Sequence, residues 1–169
     1  MGLFGSSKTL ITPESFVNTQ LERIFSSNFI SAETQGFTSL SLEFPFLKKI
    51  NFDIYLKERQ NVISNLFRIA WDRTIPYEIF ISSAHLIPDD PRFSKVSSGS
   101  YDGVLSKAQE AGLSTFGYIT KVFLSRIISD NNSLSQIEYE KIYKIYGVDY
   151  TKLYISFESL IKQYKFVKK

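Results

Sequence analysis

Apolar residues recur every three or four positions over most of this chain, the period of an α-helix with one face turned to a core. Thr12-Pro13-Glu14 opens the first such run. Threonine can cap the free N–H groups, proline fits the first helical position, and an acid suits the positive first turn. Val17, Leu21, Ile24, Phe25 and Phe29 then fall on one side, and Gly36 closes the stretch or lies in the loop beyond it. Residues 1–11 ahead of it read as a flexible tail.

The pattern next becomes ambiguous. Leu40, Leu42, Phe44 and Phe46 alternate, as do Ile50, Phe52, Ile54 and Leu56, which argues for a short β-hairpin around residues 38–57. Lys48-Lys49 is a poor tight turn, however, and Pro45 fits only an edge strand. A longer helical series from Phe52 through Leu56, Ile63, Leu66 and Phe67 to Ala70 outweighs the alternation and predicts a helix over about 52–72. Ile75-Pro76-Tyr77-Glu78 restarts a helix bearing Ile79, Phe80, Ile81, Ala84 and Leu86, apolar on most sides and therefore expected to be central. Pro88-Asp89-Asp90-Pro91 ends it, and the Ser-rich run that follows makes residues 88–100 an exposed linker between two helical halves.

Beyond the linker, Tyr101, Val104, Leu105 and Ala108 mark a helix ended by Gly112. Ser114 caps the next, which carries Phe116, Ile119, Val122, Phe123 and Ile127. Asp130-Asn131-Asn132 is a turn. Ser135 with Glu138 forms a capping box, flanked by the Leu134 and Tyr139 staple. That helix runs to Gly147, and Asp149 caps a last one through Tyr150, Leu153, Tyr154, Phe157, Leu160, Ile161 and Tyr164. So short a connection predicts an antiparallel C-terminal pair. The expected fold is mainly α: a single compact bundle of six or seven helices over residues 1–169.

Composition narrows the chemistry. There is no cysteine and one histidine, His85, against 15 Phe and 10 Tyr. Thiolate catalysis, cysteine-based metal centres, disulfide scaffolds and histidine pairs are thereby excluded. The formal charge of +3 is mild and mostly interspersed with acids, which disfavours nucleic acid as partner. No apolar run is long enough to cross a membrane, and the N-terminus lacks the pattern of a secretory signal, so the expected setting is the cytoplasm.

Four constellations stand out. His85 lies near Ser82, Ser83, Asp89, Asp90 and Arg92, but lacks a second nitrogen ligand at metal-binding spacing. Ordinary turn chemistry is the stronger reading there, and no catalytic residue, metal ligand or cofactor is assigned. Gly99 and Gly103 precede or open a helix without the Lys-Ser of a phosphate-binding loop. Met1-Gly2-Leu3-Phe4-Gly5-Ser6 fits the loose N-myristoylation pattern, whose alternative is a plain tail. Lys162, Lys165, Lys168 and Lys169 give the C-terminus a basic end that suits an anionic membrane or polyanion, or simply complements a helix dipole.

The remaining oddity is a row of aromatics at helical spacing: Tyr139, Tyr143, Tyr146, Tyr150, Tyr154, Phe157 and Tyr164. Helical spacing indicates core, but tyrosine hydroxyls need water or a partner, so the row is expected to be a half-exposed seam and a protein interface. The reading is therefore a non-catalytic interaction or adaptor module whose C-terminal helical pair meets a protein partner or a second copy. Its alternatives are a peripheral membrane or polyanion binder using the lysines, and a carboxylate-based enzyme near His85. No small-molecule substrate is indicated.

Overall fold

The computed structural model describes residues 8–90, 100–128 and 134–167. The Ser-rich part of the linker, the Asp130-Asn131-Asn132 turn, Gly2, Gly99, Lys168 and Lys169 lie outside the described residues. Among the described residues the fold is seven α-helices with one small sheet, as the periodicity predicts.

The chain opens with strand β1, Thr9–Ile11, so the end of the expected tail is structured. It pairs in parallel with strand β2, Tyr164–Phe166, in the register Thr9 to Tyr164 and Ile11 to Phe166. Helix α1 spans Pro13–Ile24, with the Thr12 hydroxyl accepting from the Ser15 N–H at 3.2 Å. It stops at Phe25 because Ser26 caps a new helix, its hydroxyl accepting from the Phe29 N–H at 3.1 Å. That helix, α2, covers Ser27–Glu43 and runs straight through Gly36, which corrects the expected closure there.

The β-hairpin around residues 38–57 does not form. Leu40 and Leu42 belong to the end of α2, where Leu42 points to solvent. A 3₁₀ turn over Pro45–Lys49, with proline at its first position, then buries Phe44, Phe46 and Leu47. The alternation therefore marks a helix end followed by a tight turn, two conformations that share no face.

Asn51 caps α3, Phe52–Thr74, accepting from the Asp53 and Ile54 N–H groups at 2.8 and 3.2 Å. Every residue from Val62 to Trp71 is buried, so α3 is the central helix and the others pack around it. Helix α4, Tyr77–Ser83, is peripheral, contrary to expectation: Phe80 and Ser83 face inward while Tyr77 and Ile81 are exposed. Its apolar residues outnumber the inward positions that a seven-residue helix offers. A 3₁₀ turn over Ala84–Leu86 follows, held by Arg68 of α3, which donates to the Ala84 and Ile87 carbonyls at 2.6 and 2.9 Å.

Helix α5, Ser100–Glu110, ends at Gly112, whose φ of +69° is the left-handed cap that glycine adopts without steric strain. Ser114 caps α6, Thr115–Ile127, accepting from the Gly117 N–H at 3.1 Å. The capping box at Ser135 and Glu138 starts α7, which runs unbroken over Gln136–Ile161. The expected antiparallel C-terminal pair is thus one 26-residue helix. Asp149 does not cap a new start, because its carboxylate is taken by Arg59 of α3 at 2.8 Å. Gly147 stays helical where α7 passes Thr120 of α6.

Candidate functional site

The inner face of α7 carries Tyr146, Tyr150 and Tyr154, which are 3%, 0% and 4% exposed. The half-exposed seam read from the tyrosine spacing is therefore corrected at its centre: these rings are core. The hydroxyls of Tyr146 and Tyr154 find partners inside or at the margin of the protein, whereas that of Tyr150 is buried without a hydrogen-bond partner. Tyr146 shares a 2.6 Å hydrogen bond with Tyr55 of α3, and Arg73 donates to the Tyr154 hydroxyl at 3.5 Å. Tyr139, Tyr143, Phe157 and Tyr164 are half-buried against the same core.

Arg59 sits at the junction of α2, α3 and α7. Its guanidinium donates to both oxygens of Glu33, through Nε at 3.1 Å and Nη2 at 2.8 Å, and to Asp149 through Nη1. It also lies over the Tyr150 and Tyr146 rings, 5.2 and 5.7 Å from their centroids. Burial penalises its charge, but the facing Tyr150 and Glu33 outweigh that penalty and hold the guanidinium charged well above its ordinary range. The arrangement clamps three helices and fixes the roll of α7 about its own axis.

Burial also raises the phenols around Arg59. Tyr146 is pushed up to about 12, and Tyr55 and Tyr150 are raised as well, in each case chiefly because the interior penalises the phenolate. The unfolded chain releases these protons near pH 10, whereas the folded chain retains them. Stability that is full below pH 10 is therefore lost as the pH climbs from 10 towards 12, by up to about 1.4 kcal/mol per phenol per pH unit. Urea titrations at pH 8, 10 and 11 should show the midpoint steady up to 10 and falling beyond it. An unchanged midpoint at pH 11 would refute the burial argument.

With the tyrosines turned inward, the opposite face of α7 is set outward. At 100° per residue, Ile137, Lys141, Lys144, Val148, Lys152 and Ile155 share that side, with Ile145 at its edge. The aliphatics are well exposed: Ile137 67%, Ile155 56%, Val148 46% and Ile145 37%. Glu140 lies at one edge of the row, about 40° from Lys144, and Asp149 and Glu138 lie beyond the other edge. The stripe is thus greasy and cationic along about 27 Å of helix.

Clefts border this ridge. One of about 360 Å³ lies between α2 and α7, with Glu33, Gly36, Arg59, Val148, Asp149 and Lys152 among its lining. A shallower one of about 500 Å³ continues it past Glu43, Lys141, Lys144, Ile145 and Val148. On the other flank, a cleft of about 430 Å³ between α6 and α7 is walled by Phe116, Gly117, Tyr143, Lys144, Val148 and Lys152. Val148 borders all three.

The other constellations are dispersed. His85 is exposed on its 3₁₀ turn at the rim of a separate cleft of about 430 Å³, beside Glu14, Glu78 and Ser82. Asp89 and Asp90 do not line it: Asp89 pairs with Arg68 at 3.5 Å, and Asp90 accepts from Asn61 at 2.6 Å. Among the described residues no group of three or more His, Asp or Glu side chains could hold a metal. Lys162 bonds Glu158 at 2.9 Å one turn back, lowering the Glu158 pKa, and Lys165 is exposed on β2, beyond the end of the helix. Among the described residues no helix is long and apolar enough to cross a membrane.

Sequence reasoning missed Lys141, Lys144 and Lys152 because it broke α7 at Gly147, and a wheel drawn through the glycine would have aligned them with Val148 and Ile155. Arg59, Glu33 and Asp149 carry no such signal, since their partnership spans three helices. Compared with known proteins, the chain matches no family model, no curated protein and no solved structure.

Proposed function

We propose that this protein is a non-catalytic interaction module that presents the outward face of α7 to a protein partner in the cytoplasm. One observation carries the reading: exposed Ile137, Ile145, Val148 and Ile155 are interleaved with lysines on a helix whose inner face is clamped to the core. Apolar area kept in water along one line of a rigid element is the usual mark of a contact surface. The lack of cysteine accords with a reducing compartment. The contact face moves from the expected helical pair to the single long helix, and from the tyrosines to the aliphatics and lysines behind them.

The partner is a different chain. A two-fold pairing sets the same face against itself, and about Val148 that would bring Lys144 of one copy towards Lys152 of the other, three lysines on each side against the single acid Glu140 at the edge of the stripe. The test is a photoreactive residue placed at Val148, with one at Glu22 on α1 as control, activated in the producing cells. The expected result is a discrete protein adduct from position 148, none from 22, and loss of the adduct when Ile155→Asp is added. Adducts of equal yield from both positions, no adduct, or one at twice the chain's own mass would each overturn the reading.

A further inference from the structure

Resting on that reading, we infer that the partner segment is an acidic amphipathic helix seated in the groove between α6 and α7. The charges on the two flanks of the ridge decide the side. The α2 flank mixes signs, with Glu33, Asp149 and Glu43 set among Arg59, Lys141, Lys144 and Lys152, so an acidic ligand there would meet carboxylates as well as cations. The α6 flank has no acid in its lining: Phe116, Tyr143 and Val148 make its apolar wall, while Lys144 and Lys152 stand at its rim. Lys144 and Lys152 lie about 12 Å apart along α7. Carboxylates seven or eight residues apart on an incoming helix, about 10–12 Å, match them.

Geometry favours a helix over other occupants. A groove along the side of a long helix offers no backbone N–H or C=O to a strand, so an extended peptide would forfeit its own main-chain bonds, whereas a helix satisfies them internally and lays side chains at i, i+4 and i+7 into the cleft. Gly117 and Gly147 let α6 and α7 pack closely at the base of the groove, Gly117 against the Tyr143 hydroxyl and Gly147 beside Thr120. A lipid surface fits less well. The exposed apolar members of the ridge are all Ile or Val, without the Trp or Phe that anchors interfacial helices, and a bilayer would leave the flanking groove unfilled. Phosphate backbones would gain nothing from the aliphatics.

The test uses two synthetic 20-residue helical peptides that share leucines at i, i+4, i+7 and i+11. One has glutamates flanking that row seven apart, the other lysines, and both are titrated by fluorescence anisotropy. Saturable binding of the glutamate peptide alone is expected, weakening as salt rises from 50 to 500 mM. Lys144→Glu with Lys152→Glu should reduce the affinity by about tenfold or more. Leu42→Asp, exposed near the end of α2, should leave it unchanged. Unfolding midpoints equal to the parent's confirm that these surface variants fold.

Equal binding of both peptides, binding of neither, or a preference for vesicles containing 30% phosphatidylserine over the glutamate peptide would overturn the inference. The two levels separate cleanly. An adduct from position 148 with no response to the glutamate peptide removes the acidic helix and leaves the interaction surface standing, whereas silence in both experiments removes both.

Discussion

Arg59→Ala lowers the free energy of unfolding by about 3–5 kcal/mol, because removing one member of a buried ion cluster leaves the others uncompensated. Most of that loss arises at Glu33, whose side chain is 14% exposed, and less at Asp149, which at 44% is half in water and well screened. In a chain of this length the melting temperature should fall by roughly 6–20 °C. Trp71, fully buried and the only tryptophan, reports unfolding by fluorescence in urea.

Two companion variants separate the clamp from simple loss of bulk. Arg59→Met with Glu33→Leu removes both charges and keeps apolar volume, so it should be distinctly more stable than Arg59→Met alone. Asp149→Asn should cost about 1 kcal/mol or less. Arg59→Ala with a wild-type urea midpoint would show that the cluster behaves as a surface ion pair. The clamp also bears on the proposed contact face, since it fixes which side of α7 faces water. Loosening it should blur the lysine stripe even where the helix survives.

What could be read from the sequence follows the range of the forces involved. The caps at Thr12, Ser114 and Ser135, and the glycine cap at Gly112, act within four or five residues, and each stands where the local signal put it. Three of the misreadings share the opposite property. Asp149 looked like the start of a helix because its partner, Arg59, is 90 residues away. Thr9–Ile11 looked like tail because its partner strand lies at the other end of the chain. The tyrosine row read as a half-exposed seam because nothing local reveals that Tyr55 meets Tyr146 inside. Of the candidate site, the lysine and aliphatic stripe was within reach of periodicity, whereas the acid-free groove beside it depends on how α6 packs against α7.

Trp71→Ala should cost about 3–5 kcal/mol, the range for truncating a fully buried aromatic. The indole stacks on Phe16 of α1 at 5.4 Å, meets the edge of Phe166 of β2 at 4.9 Å, and lies 6.1 Å from Phe67. Its Nε1–H donates to the Ser83 hydroxyl at 2.8 Å, which in turn donates to the Ile79 carbonyl at 2.5 Å. One ring therefore joins α3 to both ends of the chain and to α4. Trp71→Phe keeps an aromatic surface for Phe16 and Phe166 and leaves Ser83 bonded to Ile79, so it should lose about 1–3 kcal/mol. The two variants should also differ in where they loosen. With alanine, the Val167 N–H, which donates to the Ile11 carbonyl at 3.0 Å, should exchange with deuterium far faster than amides in the middle of α7, because β2 loses the ring that seats it. With phenylalanine, that amide should stay protected. Equal protection of Val167 in parent and alanine variant would mean that the sheet is held by its own pairing, and that the aromatic cluster stabilises α3 without reaching the termini.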